Sequence, residues 1–455
     1  MTENNRISFK NRTREIQELS RYLHSKTFQF IIIYGRRRVG KTALVLNACK
    51  GLRSIYFLAE KAGNISRFIA EASILIPDIR DLKEDYHLLF KHLAGKVDVI
   101  IIDEFPNMIT EDPNIPHIFQ TIVDHILNQS TTKLILLGSS ISMMSTYVLA
   151  NPSPLYGRKT ASLKLQPLSF WDLAEFFPER TFAEIFEIYG FTGGIPYYIN
   201  QIDATLPFWH WLEKVFRAKI TFLLDEVDFL LRYEFLKPTT YFRILHAIAL
   251  GHAKVNKIAN AAGMKTTDLP PYLNSLIEVG FVIKKDPLGA PARSKQGRYF
   301  LQDQFVKFWF RFIFPNLSQI EQGIFDIRVI QSQYPQYLGP LFEKIVEEFL
   351  IRQRPFPLTR LGSWWWKDVE IDLIGVDEEK GHVTFIECKW QDAVDAGNIV
   401  SDLVKKALKC PLPRTSESYA IFARSFHLIV DHYKGYTVYC YDLAALSRFF
   451  RVKST

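Results

Sequence analysis

Between Phe28 and Asn47 an apolar run, Phe-Gln-Phe-Ile-Ile-Ile-Tyr, meets a loop framed by Gly35 and Gly40, then Lys41, Thr42 and the helix-favouring Ala43-Leu-Val-Leu-Asn47. This is G-x-x-x-x-G-K-[ST], and it dictates its surroundings: a buried strand before it and a helix after it. The glycines let successive backbone N–H groups close around phosphate oxygens, and the helix adds the positive end of its dipole. The expected phosphate cradle is Gly35, Arg36, Arg37, Arg38, Val39, Gly40, Lys41, Thr42 and Ala43. Lys41 is expected to reach the outer phosphates and Thr42 to ligate Mg²⁺.

A second run, Val97-Asp-Val-Ile-Ile-Ile-Asp-Glu-Phe105, is almost continuously apolar, as a buried parallel strand is. Its two terminal carboxylates point into the crevice where α/β sheets bind ligands. Asp103 is then expected to hold Mg²⁺ through its water shell, and Glu104 to orient or deprotonate an attacking water. Lys133-Leu-Ile-Leu-Leu-Gly-Ser-Ser140 reads as the next core strand, with Ser139 or Ser140 either capping a helix or facing the phosphates.

A length of 455 residues suggests three or four domains at about 100–200 residues each. No apolar run approaches the roughly 18–20 residues of a membrane span, and Met1–Arg6 has no apolar segment of the secretory type. Cys49, Cys388, Cys410 and Cys440 show neither C-x-x-C pairing nor zinc spacing, so a reducing cytoplasm is the expected compartment. The net charge of +8 is uneven: residues 1–315 carry +9 and residues 316–455 carry −1, so any charge-driven attraction to nucleic acid belongs to the first part.

Downstream, Phe170–Phe177 and the helical pattern to Tyr189 suggest a small helical lid, broken at Thr192-Gly-Gly-Ile-Pro196. From Thr239, three short helices ending at Gly251, Gly263 and Gly280 precede a strand, a loop and a returning strand at Arg298–Leu301. This resembles a winged helix. Its third helix, within residues 266–280, has no Lys or Arg, whereas its wing carries Lys284, Lys285, Arg293, Lys295 and Arg298, so any DNA contact is expected from the wing rather than from the helix, and a purely internal or protein-facing role is the alternative. Phe305–Phe314 reads as a core helix. Further on, the amphipathic helix Gly339–Leu350 is followed by two strands around the turn 378–381, interrupted by Asp372, Glu387 and Lys389. Two carboxylates and a lysine on adjacent strands suit a second Mg²⁺ or a Mn²⁺, with Lys389 positioning a water; a salt-bridge network is the alternative. Of Trp364 to Trp366, at least two are expected in the core.

Taken together, these motifs resemble the archaeal-type ATPases of the AAA+/STAND group across nearly the whole chain. The resemblance implies that Asn11 and Arg12, ahead of the loop, lie near the nucleotide, that Ser139 senses the γ-phosphate, and that Arg158 in Leu155-Tyr-Gly-Arg158 balances charge on the transferring phosphoryl group, in cis or from a neighbour. It also implies that the Gly-Gly-x-Pro element transmits nucleotide state. The final third resembles the PD-(D/E)XK nuclease superfamily, with Glu343 as accessory acid and Ile371 where that family has proline. The implied architecture is α/β: a RecA-like P-loop ATPase core (residues 1–170), a helical lid (171–236), a winged helix (237–317) and a restriction-endonuclease-like α/β domain (318–455). The implied function is a Mg²⁺-dependent ATP switch acting on DNA through a nuclease-like domain. A nucleotide-controlled scaffold with an inactive nuclease fold is the alternative, and homo-oligomerisation stays open.

Overall fold

The computed structural model describes residues 9–218, 222–291, 294 and 296–450. Five strands, β1 (Phe30–Tyr34), β2 (Ser54–Leu58), β3 (Val99–Asp103), β4 (Lys133–Gly138) and β5 (Ala161–Lys164), form one sheet in the order β2-β3-β4-β1-β5. All pairings are parallel. Strict alternation explains the continuous apolar runs. Phe30, Ile32, Ile100, Ile102, Leu134 and Leu136 enter one core, while Ile31, Ile33, Val99, Ile101, Ile135 and Leu137 enter a second on the opposite face. Both faces are covered, so no position can be polar until the strand ends. Parallel order then brings the ends of β1, β3 and β4 to one edge of the sheet, the usual place for a ligand in an α/β fold.

The remaining chain is built on a different core. One apolar cluster runs from Leu168 through Phe186, Phe305 and Tyr334 to Phe450. The lid, winged helix and C-terminal unit therefore share packing, where the sequence suggested three separate modules. Phe186 meets Trp390 at 4.4 Å between ring centroids, and Phe170 stacks on Phe450 at 4.9 Å. The sharp Gly-Gly-x-Pro break is required here. Gly194 has φ +77, and a Cβ on it would overlap the carbonyl oxygen of Leu168, whose N–H donates to Gly194 O at 2.8 Å; only glycine fits.

The winged-helix pattern appears as helices Pro238–Ala249, Val255–Ala261 and Leu269–Val279 followed by the antiparallel hairpin of β6 (Val282–Lys285) and β7 (Arg298–Leu301). Arg293 and Lys295 lie outside the described residues. The helix expected at 339–350 begins eleven residues earlier and spans Arg328–Gln353, through Pro335 and Pro340. Tertiary contacts outweigh the local cost of proline: Tyr334 donates to Glu187 O at 2.7 Å and Tyr337 to Gly190 O at 2.9 Å.

The C-terminal sheet is separate and mixed. Its strands are β8 (Arg360–Trp366), β9 (Val369–Asp377), β10 (His382–Lys389), β12 (Ser416–Ala423), β14 (His432–Tyr433) and β15 (Tyr436–Tyr441), in the order β14-β15-β12-β10-β9-β8; β11 (Val394–Asp395) and β13 (Phe426–Leu428) pair apart from it. One face packs on helix Ala396–Ala407 through Ile371, Phe385 and Ile421. Through Leu373, Ile386 and Phe422 the other face joins the shared core. Trp364 and Trp365 are buried and Trp366 is half exposed.

Candidate nucleotide site

The loop after β1 turns at Gly35, φ +152, where a Cβ would overlap the Leu165 carbonyl oxygen, and enters the helix Lys41–Ala48 at Gly40, φ +93. Lys41 is only 5% exposed, and its Nζ donates to Gly35 O at 2.9 Å and Arg36 O at 3.1 Å. Burial pulls its ammonium down from the usual range to about 8, against the opposing pull of Glu104 and Asp103. A buried cation bonded only to carbonyls of its own loop is under-compensated, and an anion in the cradle would complete it. The residues therefore fit a nucleotide phosphate.

At the end of β3, Asp103 is buried and its Oδ2 accepts from Thr42 Oγ1 at 2.5 Å and from Tyr56 OH at 3.0 Å. Two hard oxygens side by side at the mouth of the loop suit Mg²⁺, which prefers carboxylate, hydroxyl and water oxygens. Glu104 follows with a left-handed backbone, φ +53, a conformation uncommon for a residue with a Cβ and frequent at functional turns. Its carboxylate accepts from Ser139 Oγ at 2.6 Å on one oxygen and from Tyr233 OH at 2.8 Å on the other. Ser139 thus contacts the carboxylate in this structure.

The three loop arginines do something composition could not reveal: their side chains leave the phosphate cradle. Arg36 is buried and ion-paired with the fully buried carboxylate of Asp303, and its guanidinium lies 4.6 Å from the Phe281 ring centre. Arg37 stacks on Phe229 at 5.0 Å and Tyr233 at 4.4 Å. Arg38 pairs with Glu226 and lies 3.9 Å over Tyr197. Glu226 and Tyr233 belong to the lid helix Glu226–Glu234, and Asp303 follows β7. Side chains of the loop thus bind the lid and the winged helix, leaving its backbone N–H groups for phosphate. Glu234 completes the ring: burial raises its carboxyl to about 7, opposed by Arg36 and Lys41. Replacing Arg36 with Ala strands Asp303 as a buried unpaired charge. Stability should fall by about 3–5 kcal/mol, read as a lower urea midpoint, and an unchanged midpoint would show that the pair contributes nothing.

Among the resemblance-derived residues, Arg12 is buried and its Nη2 donates to Gln166 O at 2.6 Å and Val39 O at 3.4 Å, beside the loop. Asn11 faces the lid, with Nδ2 at 3.3 Å from both Asp172 and Glu175. Arg158 is elsewhere. It precedes β5, and Thr160 N donates to Phe30 O at the start of β1, so it stands at the edge of the sheet opposite the phosphate loop. Its guanidinium is held by Asp124 at 2.8–3.0 Å. Parallel strand direction excludes it from its own chain's phosphate site as the chain is folded here.

In the C-terminal sheet, Asp372 accepts from Cys388 N at 2.8 Å, while Glu387 is occupied by Lys389 at 2.7 Å and by Lys406 at 2.9 Å. Burial and the neighbouring Asp372 raise the Glu343 carboxyl to about 8; burial and Glu387 raise Asp372 to about 7. The three acids share one electrostatic field. Among the described residues, however, no three carboxylate, imidazole or thiol groups meet closely enough to hold a metal ion. Glu387 is bridged by two lysines, Lys389 from its own strand and Lys406 from helix Ala396–Ala407. The wing is also engaged internally. Arg298 pairs with Glu370 at 2.9 Å and stacks 4.7 Å over Trp365, whose Nε1 donates to Gln296 O. Lys285 lies 3.9 Å from Glu347, and Lys284 3.2 Å from Asp286.

Sequence reasoning missed Tyr233, Glu234, Glu226, Asp303 and Lys406. Only Asp303 had a local signal, as a cap whose carboxylate accepts from Val306 N. The others act across more than a hundred residues of sequence, or, for Lys406, from a helix face where a lysine ordinarily points to solvent.

Two family descriptions match the chain: "ATPase domain predominantly from Archaea" over residues 9–202 and "Archaea bacterial proteins of unknown function" over residues 309–400. An uncharacterized protein of Methanocaldococcus jannaschii is 47% identical over 423 residues, covering 91% of this chain and 95% of that protein. The solved structure of the Walker-type ATPase of Pyrococcus abyssi aligns at a TM-score of 0.52 and 19% identity, over 67% of this chain and 97% of that one. That likeness is one of fold. No helix among the described residues is long and apolar enough to cross a membrane. With a phosphate loop, a carboxylate-terminated strand and these relatives in agreement, the chain belongs to the archaeal-type ATPases, its ATPase domain followed by a second unit built on a sheet of its own.

Proposed function

We propose that this protein is a Mg²⁺-ATP switch whose nucleotide state is read by the lid, the winged helix and the C-terminal unit. The observation that carries this is the engagement of Arg36, Arg37 and Arg38 with Asp303, Phe229, Tyr233 and Glu226. Phosphate entering the cradle alters the loop that holds those partners. Lys41 and the loop amides would bind the phosphates, and Thr42 and Asp103 would hold Mg²⁺, which would supply charge neutralisation for phosphoryl transfer. Glu104 takes the proton of the attacking water.

For the output we favour a nuclease-like C-terminal fold directed at DNA, supported by two neighbouring carboxyls that burial raises, Glu343 with help from Asp372 and Asp372 with help from Glu387, and by Lys389 on the same strand as Glu387. A second reading, a nucleotide-controlled scaffold with an inactive fold, is supported by Glu387 being held between Lys389 and Lys406. The deciding experiment incubates single-stranded, duplex and branched DNA with Mg²⁺ or Mn²⁺, with and without ATP. Cleavage by the parent and none by Asp372→Ala establishes the nuclease; no cleavage of any form by the parent, alongside intact ATP turnover, leaves the scaffold. A parent that neither binds nor hydrolyses ATP defeats the switch itself.

A further inference from the structure

Glu104 is occupied on both of its carboxylate oxygens. Ser139 Oγ donates to Oε1 at 2.6 Å, and the Tyr233 hydroxyl donates to Oε2 at 2.8 Å. Ser139 comes from the adjacent strand end and is fixed to the sheet. Tyr233 comes from the lid, 129 residues away in sequence, on the helix Glu226–Glu234.

That helix is tied to the phosphate loop at both ends. Near its start Glu226 pairs with Arg38 and accepts from Tyr198 OH at 2.6 Å. Near its finish the Tyr233 ring lies under the Arg37 guanidinium at 4.4 Å, and one buried oxygen of the half-buried Glu234 has no hydrogen-bond partner. Val227, Leu230 and Leu231 anchor the helix in the shared core. The helix is therefore a rigid bar whose position is set by the loop, and its tyrosine touches the carboxylate assigned above as the base. A general base must offer a lone pair to the proton it removes, and a hydroxyl donor on that oxygen competes for it.

We propose that Tyr233 is a positioning residue that restrains Glu104 until the lid moves, so that hydrolysis waits on lid placement. The inference rests on the ATPase reading above and adds a specific brake to it. Nucleotide phosphates in the cradle compete with the lid for Arg37 and Arg38, the cations that hold the bar, and so displace it. Tyr233 then withdraws its hydroxyl and Glu104 is left with Ser139 alone.

The test compares parent, Tyr233→Phe, Glu104→Gln and the double variant, all full length. Phenylalanine keeps the ring that Arg37 stacks on and removes only the hydroxyl. Tyr233→Phe should raise kcat for ATP by about threefold to tenfold, with KM and the Kd for a fluorescent ATP analogue unchanged. The gain should vanish in the double variant, because it acts through Glu104. Simple structural damage lowers turnover or shifts KM and cannot produce this pattern. A Tyr233→Phe kcat equal to or below that of the parent overturns the proposal, as does a gain that survives Glu104→Gln. If the parent binds ATP without turning it over, Tyr233→Phe must acquire turnover or the brake is refuted. A parent that does not bind ATP refutes the underlying reading, which the binding measurement alone detects.

Discussion

Glu104→Gln is expected to bind Mg²⁺-ATP as the parent does and to turn it over about 10²–10⁴-fold more slowly, the usual contribution of a positioned general base. The size follows from where the residue sits. Glu104 stands one position past the buried Asp103, at the end of β3, with a left-handed backbone that turns its side chain into the crevice. Its hydrogen-bond partners are the Ser139 N–H, which donates to Oε2 at 3.3 Å and can face an amide oxygen, and two hydroxyls, which rotate and can either donate or accept. A glutamine amide can therefore keep these contacts and the local fold while losing the capacity to take a proton. Binding rests on other groups, Lys41, Thr42 and the loop amides, so Kd should hold. Steady-state turnover at saturating ATP and equilibrium binding of a fluorescent analogue separate the two quantities. Turnover within threefold of the parent would falsify the assignment of Glu104 as base and direct attention to Glu234, a further carboxylate near Lys41.

The phosphate loop, Asp103 and Glu104 could be read because their chemistry is local: each lies at the end of a strand whose every residue is buried, and such strands are written as unbroken apolar runs. The winged-helix pattern was legible for a similar reason, since Gly251, Gly263 and Gly280 punctuate it. Interactions between units were not. Arg36, Arg37 and Arg38 look like phosphate ligands in a string of letters, because a basic loop beside phosphate is the simplest electrostatic expectation. Their partners, Asp303, Tyr233 and Glu226, lie more than 180 residues downstream. The motif around Arg158 left action in cis or from a neighbour open, because its place on the sheet depends on strand direction and on Asp124. In the C-terminal unit, Glu-x-Lys on β10 did put Glu387 and Lys389 on one face, but Lys406 arrives from a helix that spacing alone could not aim. The basic wing was counted as free charge, whereas Lys285 and Arg298 meet Glu347 and Glu370 across the interface.

Lys41→Ala should weaken ATP binding by about 100-fold or more. Two charge-assisted hydrogen bonds to phosphate oxygens at about 1.5–3 kcal/mol each, at 1.4 kcal/mol per tenfold, set that floor. The pH dependence is the sharper signature. Burial holds the Lys41 ammonium at about 8, so above pH 8 the residue is increasingly neutral. A phosphate beside it favours the charged form, and binding must then draw a proton from solution. Affinity of the parent should decline as pH climbs beyond 8, by up to tenfold per pH unit, and isothermal titration near pH 8.5 in buffers of different ionisation enthalpy should register proton uptake. Stability of the nucleotide-free protein runs the other way. Between pH 8 and 10.5 the unfolded chain retains the lysine proton and the folded chain has released it, so the parent gains stability across that window. Lys41→Ala should lack both slopes. An affinity for ATP that is flat from pH 7 to 9.5 in the parent would mean that the ammonium keeps an ordinary environment in solution, and that the Gly35 and Arg36 carbonyls hold it less closely than 2.9 and 3.1 Å imply.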